Sequence, residues 1–487
     1  MGFGYSVFVN NTLLRFYSSC SGSVGCSRKL FDEMLERDVV SWNTMICAYM
    51  GHGEMEFAMG LFDLMPERNV VSWNSVVTGF CKAGEMRLAG LIFERMIVRN
   101  EFSWNCMISG YARVGDMVNA RLVFDQMPEK TVISWTAMIT GYANVRDVMS
   151  ASVFFNLMPV KNVVSWNAMI AGYVHNHVFD QALNVFHQML MSNSDGGSCR
   201  PDEATLTTAL SACAHLGSLE QGKWIESYIK KYNIGLSVSL GNTLIDMFAK
   251  CGDIENAKLV FNGMRNRSIF TWTTLVSGLA FNGLCREALD LFDTLCNEND
   301  KTEPDDVIFI AVLSACTHGG LVEEGKRVFH QMMRQFGIEP RIEHYGCMVD
   351  LLSRAGKVEE ALSFVMSMPM EPNAIIWATL LGSCQVYGNR ELVQVVSKRI
   401  LGLEPSNPAY LMLISNSNAS MGRWEDVLNV RATMRNRGIE KVPGCSSIQV
   451  GNKVLEFLVK DTRHERTSEI YESLHSLNDH LKASVDN

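Results

Sequence analysis

Residues 70–100 read VVSWNSVVTGFCKAGEMRLAGLIFERMIVRN, and the same pattern returns on both sides at a spacing of 31 residues. Trp42, Trp73, Trp104, Trp135 and Trp166 share one phase. Ala58, Ala89, Ala120, Ala151 and Ala182 share a second; Phe62, Phe93, Phe124, Phe155 and Phe186 a third; Met65, Met96, Met127, Met158 and Met189 a fourth. Four columns in register over five copies establish an internal repeat.

Within residues 39–69, Val40, Trp42, Met45, Ile46 and Tyr49 fall at helical spacing, followed by Phe57, Ala58, Leu61, Phe62 and Met65. Gly51 and Gly53 mark a break between two helices, and Pro66, Pro128 and Pro159 stop the second one. One helical hairpin cannot bury its own apolar stripes, so neighbours must stack. The expected fold is all-α, a right-handed α-solenoid superhelix of stacked helical hairpins. The Ala column permits close helix approach, and the Trp and Phe columns fill the space between.

Working outward, the repeats take the boundaries 7–38, 39–69, 70–100, 101–131, 132–162, 163–202, 203–237, 238–268, 269–305, 306–341 and 342–373. Residues Ser192 to Cys199 read as a flexible surface insertion. Two degenerate hairpins follow at 374–407 and 408–443. The β-favouring runs Ser446–Val450 and Val454–Val459, around Gly451 and Asn452, predict a small hairpin, with an amphipathic helix at about 466–481.

With 47% hydrophobic residues, the 487-residue chain has ample apolar surface to bury, which excludes wholesale disorder. Its 43 Lys and Arg against 52 Asp and Glu leave a formal charge of −9. A grossly basic, non-specific nucleic-acid binder is excluded, so nucleic-acid binding would rest on local grooves. The 14 Cys include no C-x-x-C pair and read as reduced core thiols. No apolar run reaches the roughly 18 residues of a membrane helix.

The residue after each phase Trp is Asn43, Asn74, Asn105, Thr136 or Asn167, with Asn11, Asn242 and Thr273 in equivalent places. The last residue of each repeat is also small and polar: Asp38, Asn69, Asn100, Thr131, Asn162, Asp202, Ser237, Ser268 and Asp305. Helix capping would account for the Asn column, given the preference of Asn for helix starts, but not for its partner column. Two short polar side chains per hairpin can instead address the edge of one unstacked base.

Segments such as VVSWNSVVTGFCKAG, with the spaced pattern A-x-x-x-F-x-x-M-P, resemble pentatricopeptide repeat proteins. The mixture of repeat lengths, with LSACAHLG at 210–217 and LSACTHGG at 313–320, resembles the plant subfamily that alternates P, L and S repeats. Residues 343–361, EHYGCMVDLLSRAGKVEEA, resemble its last S repeat. WATLLGSC at 377–384 opens a region similar to its E domain, 374–443, and PGCSSIQVGNKVLEFLV at 443–459 resembles the start of the E+ extension, placed at 444–487.

That resemblance implies a site-recognition factor for cytidine-to-uridine RNA editing, binding single-stranded organellar RNA and recruiting a trans-acting deaminase and other editing factors. It also implies a mitochondrial or chloroplast location, with mitochondrion slightly preferred. RNA stabilisation, splicing and protein scaffolding are the alternatives. By the family's pairing, Asn11 with Asp38 and Asn167 with Asp202 favour uridine. Asn43 with Asn69, Asn74 with Asn100 and Asn242 with Ser268 favour cytidine. Thr136 with Asn162 favours adenine, Thr273 with Asp305 favours guanine, and Asn105 with Thr131 a pyrimidine. Thr207 with Ser237 and Ile310 with Arg341 carry no assignment.

Enzymatic chemistry, a metal and any other cofactor are not expected. A zinc deaminase needs H-x-E and C-x-x-C, whereas His464 and Glu465 are adjacent and Cys445 stands alone in the tail. Gly217 to Lys223 and Gly320 to Lys326 imitate a P-loop, but Trp224 and Arg327 replace its Ser or Thr. Cys213 with His215 and Cys316 with His318 read as packing. Met1, Gly2 and Ser6 meet a loose myristoylation pattern, yet Val7 already opens a repeat, so an incomplete N-terminus is expected, without a visible transit peptide. No membrane and no small-molecule partner is expected.

Overall fold

The computed structural model describes residues 6–19, 24–194, 199–297, 303–439, 444–450, 453–458, 461–464 and 466–485. Met1, Gly2, Gly451, Asn452, Val459, Glu465 and the middle of the Ser192–Cys199 stretch lie outside them. The described residues form 27 helices and one two-stranded sheet. The chain divides into two compact units, Met1–Ala212 and Cys213–Asn487, with the boundary inside helix Glu203–Leu216.

In the N-terminal unit, hairpins follow one another at the expected period: Val39–Gly51 with Met55–Leu64, Val70–Ala83 with Met86–Arg95, Glu101–Arg113 with Met117–Gln126, and Val132–Asn144 with Val148–Leu157. Each phase Trp reaches back to the Phe column of the preceding hairpin and packs edge to face. Phe31–Trp42, Phe62–Trp73, Phe93–Trp104, Phe124–Trp135 and Phe155–Trp166 have ring centroids 4.9–5.0 Å apart. Aromatic quadrupoles favour this arrangement. Ala58, Ala89, Ala120, Ala151 and Ala182 are fully buried, because only a methyl fits where paired helices touch.

The basic residue just before each repeat end closes this contact. Arg37, Arg68 and Arg99 lie 4.7–5.0 Å over Phe31, Phe62 and Phe93, while each Nε donates to the carbonyl of that same Phe. The cation thus serves both an aromatic face and the negative end of a helix. Lys130 and Lys161 repeat the aromatic contact over Phe124 and Phe155.

Four local expectations need correction. Val40 and Phe57, assigned to the core by spacing, are exposed. Gly51 is the last residue of a helix, and the break rests on Gly53 alone, at φ 79°. Ser192–Ser194 continue helix Phe179–Ser194, so they are not part of a loop. Cys26, Cys47 and Cys445 are exposed and do not belong to the core. Val40 stands on the open face of its helix, whose other sides meet helices Val7–Ser19, Met55–Leu64 and Val70–Ala83.

In the C-terminal unit the hairpins continue through Val238–Lys250 with Ile254–Gly263, Ile269–Phe281 with Cys285–Asn297, Asp306–Gly319 with Val322–Arg334, and Ile342–Arg354 with Val358–Met366. Phe261–Trp272 keeps the 4.9 Å edge contact. One repeat later Phe309 takes the Trp place against Phe292 at 5.3 Å, and two repeats later Tyr345 takes it against Phe329 at 5.4 Å. Ala374–Tyr387 with Arg390–Leu403 and Pro408–Ser420 with Trp424–Asn436 form two more hairpins. Strands Cys445–Val450 and Lys453–Leu458 pair antiparallel, with Cys445 opposite Leu458, and helix Thr467–Val485 follows.

The P-loop imitations dissolve into packing. Gly217 and Gly320 are left-handed turns, whereas Gly222 and Gly325 sit inside helices where an added Cβ would fall 2.3 Å from Met247 and Leu351 side chains. Lys223 pairs with Asp253 at 2.9 Å and Lys326 with Glu360 at 2.5 Å. No helix among the described residues is long and apolar enough to cross a membrane. Among the same residues, no three His, Cys, Asp or Glu side chains converge as metal ligands.

Candidate nucleic-acid interface

The last residue of each repeat is the N-cap of the next first helix. Asp38, Asn69, Asn100, Asn162 and Asp202 accept from the backbone N–H three residues on through a side-chain oxygen, at 2.8–3.0 Å. Thr131, Ser268 and Asp305 cap in the same way. The allocation expected from sequence is therefore reversed: capping explains the partner column, not the Asn column. Asn43, in helix Val39–Gly51, stands on the second turn, beyond the reach of a cap.

The two columns meet. The amide of Asn11 donates to Asp38 at 3.0 Å, Asn74 to Asn100 at 3.2 Å, Asn105 to Thr131 at 3.2 Å and Asn167 to Asp202 at 3.0 Å. Residues 26 to 35 apart in sequence thus become one polar pair at the seam between neighbouring hairpins. The other four sites lack this direct bond among the described contacts. Thr136 and Thr273 turn their hydroxyls back to the carbonyls of Val132 and Ile269, at 2.7 and 3.0 Å. Asn43 and Asn242 keep a buried side-chain oxygen without a hydrogen-bond partner.

Burial alone would raise the pKa of Asp38 and of Asp202. The opposing hydrogen bonds prevail: those from the backbone amides of Ser41 and Thr205, then from Asn11 and Asn167, together hold both carboxyls below the ordinary aspartate value. Both side chains therefore present a carboxylate at neutral pH.

Two of the pairs line grooves with apolar walls. Asn74 and Asn100 line one of about 430 Å³ with Val71, Thr78, Lys82 and Phe102. Thr136 and Asn162 line another of about 460 Å³ with Ile133, Val164 and Arg113. Val40, Val71, Phe102, Ile133, Val164 and Phe270 are 55–63% exposed and recur in one phase. A planar base can lie between two successive members of this column while its edge meets the polar pair. Sequence reading missed the column, because an apolar residue two before Trp looks like core; its regular recurrence at exposed positions was the available signal. It also missed Lys82 and Arg113 near the far ends of first helices, where these two cations border the grooves.

Comparison with known proteins matches residues 37–70 and 161–215 to the PPR repeat family. Residues 71–101, 102–132, 133–163, 242–269, 270–299, 307–335 and 343–371 match the PPR repeat, and residues 387–449 match the E motif. The chain belongs to the pentatricopeptide repeat family. Among its pentatricopeptide relatives in Arabidopsis thaliana, At2g22410, mitochondrial, is 42% identical over 62% of this chain and 44% of its own length. Another, At1g08070, chloroplastic, is 40% identical over 62% of this chain and 40% of its own length. The chain thus spans about half the length, or less, of such relatives. The crystal structure of the pentatricopeptide repeat protein PPR10 with an 18-nt psaJ RNA element shares the fold, with a TM-score of 0.52 and 18% identity over 90% of this chain and 75% of that one. PPR10 is a maize protein.

Proposed function

We propose that this pentatricopeptide repeat chain binds single-stranded RNA in a sequence-specific way through the paired columns Asn11 to Asp305. In this reading it works in a mitochondrion or chloroplast as a site-recognition factor for cytidine-to-uridine editing by a deaminase supplied in trans. Residues 7–373 form the recognition array; the E-like hairpins 374–443 and the 444–487 extension receive the catalytic partner. The chain contributes position, not bond-making.

One observation carries the reading: N-capping fixes which atom each last residue presents. A backbone N–H needs an acceptor, so the cap oxygen of Asn69, Asn100 and Asn162 is committed and the amide Nδ2 is the atom left to offer. Asp38 and Asp202 present a second carboxylate oxygen instead. An amide donor suits the unprotonated ring nitrogen of cytosine or adenine, and a carboxylate suits the ring N–H of uracil or guanine. Ser268 accepts from the Thr271 backbone in the same cap geometry, and its hydroxyl also shares a hydrogen bond with the Thr271 hydroxyl at 3.2 Å.

The inner residue then sorts size. Asn11, Asn74, Asn105 and Asn167 extend across to the cap and leave room for a pyrimidine. The shorter Thr136 and Thr273, tied back to their own helices, leave room for a purine. This chemistry supports the pairwise assignments, including adenine at Thr136 with Asn162 and guanine at Thr273 with Asp305.

The RNA expected is pyrimidine, pyrimidine, pyrimidine, pyrimidine, A, U, any base, C, G. The test is the affinity of the full chain for that oligomer against its scramble at one salt concentration. Tighter binding of the ordered RNA supports base reading; equal affinity reduces the array to a phosphate-attracting groove. RNA binding alone leaves the editing assignment open, which loss of one organellar editing event in plants lacking the protein would support.

A further inference from the structure

The residue before each phase Trp forms a column of its own: Ser41, Ser72, Ser103, Ser134 and Ser165, with Thr205 and Thr271 in equivalent places. All seven are fully buried, so none can touch a bound base. Each supplies the backbone N–H that the N-cap accepts, yet that bond does not dictate where the hydroxyl goes. Three of the hydroxyls cross to the neighbouring hairpin. Ser41 donates to Asn11 Oδ1 at 2.6 Å, Ser103 to Asn74 Oδ1 at 2.6 Å and Thr205 to Asn167 Oδ1 at 2.5 Å. At the same three sites the inner amide nitrogen donates to the cap, at 3.0–3.2 Å.

We infer that Ser41, Ser103 and Thr205 are positioning residues for base reading, each locking the orientation of the inner asparagine amide in the preceding hairpin. The inference rests on the base-reading function proposed above. An Asn side chain can turn its amide over and exchange a carbonyl oxygen for an NH2 group. With Oδ1 held by a buried hydroxyl and one N–H held by the cap, the amide has a single orientation, and its second N–H is the group left to offer. That N–H suits a ring carbonyl of a pyrimidine. Turned over, the same amide would set oxygen against oxygen. Supporting groups of this kind hold a recognition side chain in its productive geometry without meeting the ligand.

Capping does not by itself make the link. At 39–69 Ser72 turns to Asn69 at 3.0 Å, and the buried Oδ1 of Asn43 has no hydrogen-bond partner. At Asn105 the cap's own hydroxyl, on Thr131, supplies the donor at 3.2 Å, while Ser134 turns back to the Thr131 carbonyl at 2.8 Å. At the site proposed for adenine, Ser165 donates to the carbonyl of Asn162 at 2.8 Å and Thr136 bonds to its own helix. Helices Glu101–Arg113 and Val163–His175 thus begin with the same reciprocal cap, but only the first ties its hydroxyl to an inner asparagine.

The full chain is bound, at one salt concentration, to RNAs of the expected sequence that differ only at the third base, assigned to Asn74 with Asn100, or only at the sixth, assigned to Asn167 with Asp202. The wild type should prefer a pyrimidine to a purine at both. The third-base preference in Ser103→Ala, and the sixth-base preference in Thr205→Ala, should fall about fivefold, the weight of one net hydrogen bond. Ser103→Thr and Thr205→Ser retain the hydroxyl and should retain the preference. Ser165→Ala weakens the same kind of cap and should lower the urea midpoint as Ser103→Ala does, yet leave the fifth-base preference intact. Absence of any wild-type preference would defeat base reading itself, and this inference with it. A wild-type preference that survives both alanine variants, or one that Ser165→Ala diminishes equally at the fifth base, overturns the positioning role alone.

Discussion

Two stretches solve the same packing problem with different residues. In 39–162, a Trp meets the preceding Phe in every repeat and an Asn or Thr cap is answered by a Ser three residues on. In 342–373 the ring is Tyr345, and Arg341 occupies the cap place with no side-chain cap bond. His344 there replaces Ser: its Nδ1 accepts from the Arg341 backbone at 3.0 Å while Nε2 faces the Asp306 carbonyl at 2.8 Å. With Nδ1 accepting, the proton must sit on Nε2. The comparison teaches that the stacking geometry is the invariant, and that ring, cap and third residue may each be exchanged when the hydrogen-bond count is kept. What does not survive the exchange is the small polar side chain at the cap. Arg341 instead forms an ion pair with Asp306 at 2.5 Å.

The largest expected effect breaks the regular stretch. Trp104→Ala removes a nearly buried ring and its contact with Phe93, and should cost about 3–5 kcal/mol in urea unfolding. Tyr345→Phe retains a ring against Phe329 and should cost under about 1.5 kcal/mol by the same assay. Equal losses would show that the ring contact is not what stacks the hairpins.

Next comes the polar pair. Thr136→Asn together with Asn162→Asp should move preference at that one position from adenine to uridine, by about 1–2 kcal/mol in competition binding. Loss of affinity at all positions together would show a folding effect rather than a change of reading.

Arg146 and His177 occupy the left-handed position that Gly53, Gly84 and Gly115 fill elsewhere, at φ 65° and 61°. Arg146→Gly should raise stability by about 1 kcal/mol and Gly84→Ala should lower it by a similar amount, read as denaturation midpoints. An Arg146→Gly variant no more stable than its parent would mean that the arginine side chain offsets its own strain.

The smallest effect is acid-dependent. Because the folded carboxyls of Asp38 and Asp202 lie below the ordinary value, their contribution is complete above the unfolded aspartate pKa of about 3.9 and disappears as pH falls through the folded one. Asp202→Asn should therefore flatten the stability profile below about pH 4 and leave its slope near neutrality unchanged. A parallel profile for the variant would remove Asp202 from the acid response.

The repeat, its helical hairpins and both polar columns were legible in one chain because a solenoid writes each packing contact once per period. Trp73 and Phe62, eleven residues apart, recur together, so the spacing already pairs them. The roles within the site were less legible. Asn100 reads equally well as a cap or a base contact, and it is a cap with one atom to spare. Val71 reads as core and is a groove wall. Both ambiguities concern which side of a helix faces a neighbour, and helical periodicity supplies the angle between residues without its origin.

Sequence by itself therefore determined the period, the all-α hairpin architecture and the identity of the recurring polar residues, since these follow from local propensity and repetition. Tertiary structure decided which column caps, which atom that leaves exposed, and that Asn74 meets Asn100 whereas Thr136 turns away from Asn162. Those facts depend on the registry between helices of successive hairpins. That registry is set by Trp against Phe and by Ala at the contact, and no single hairpin contains it.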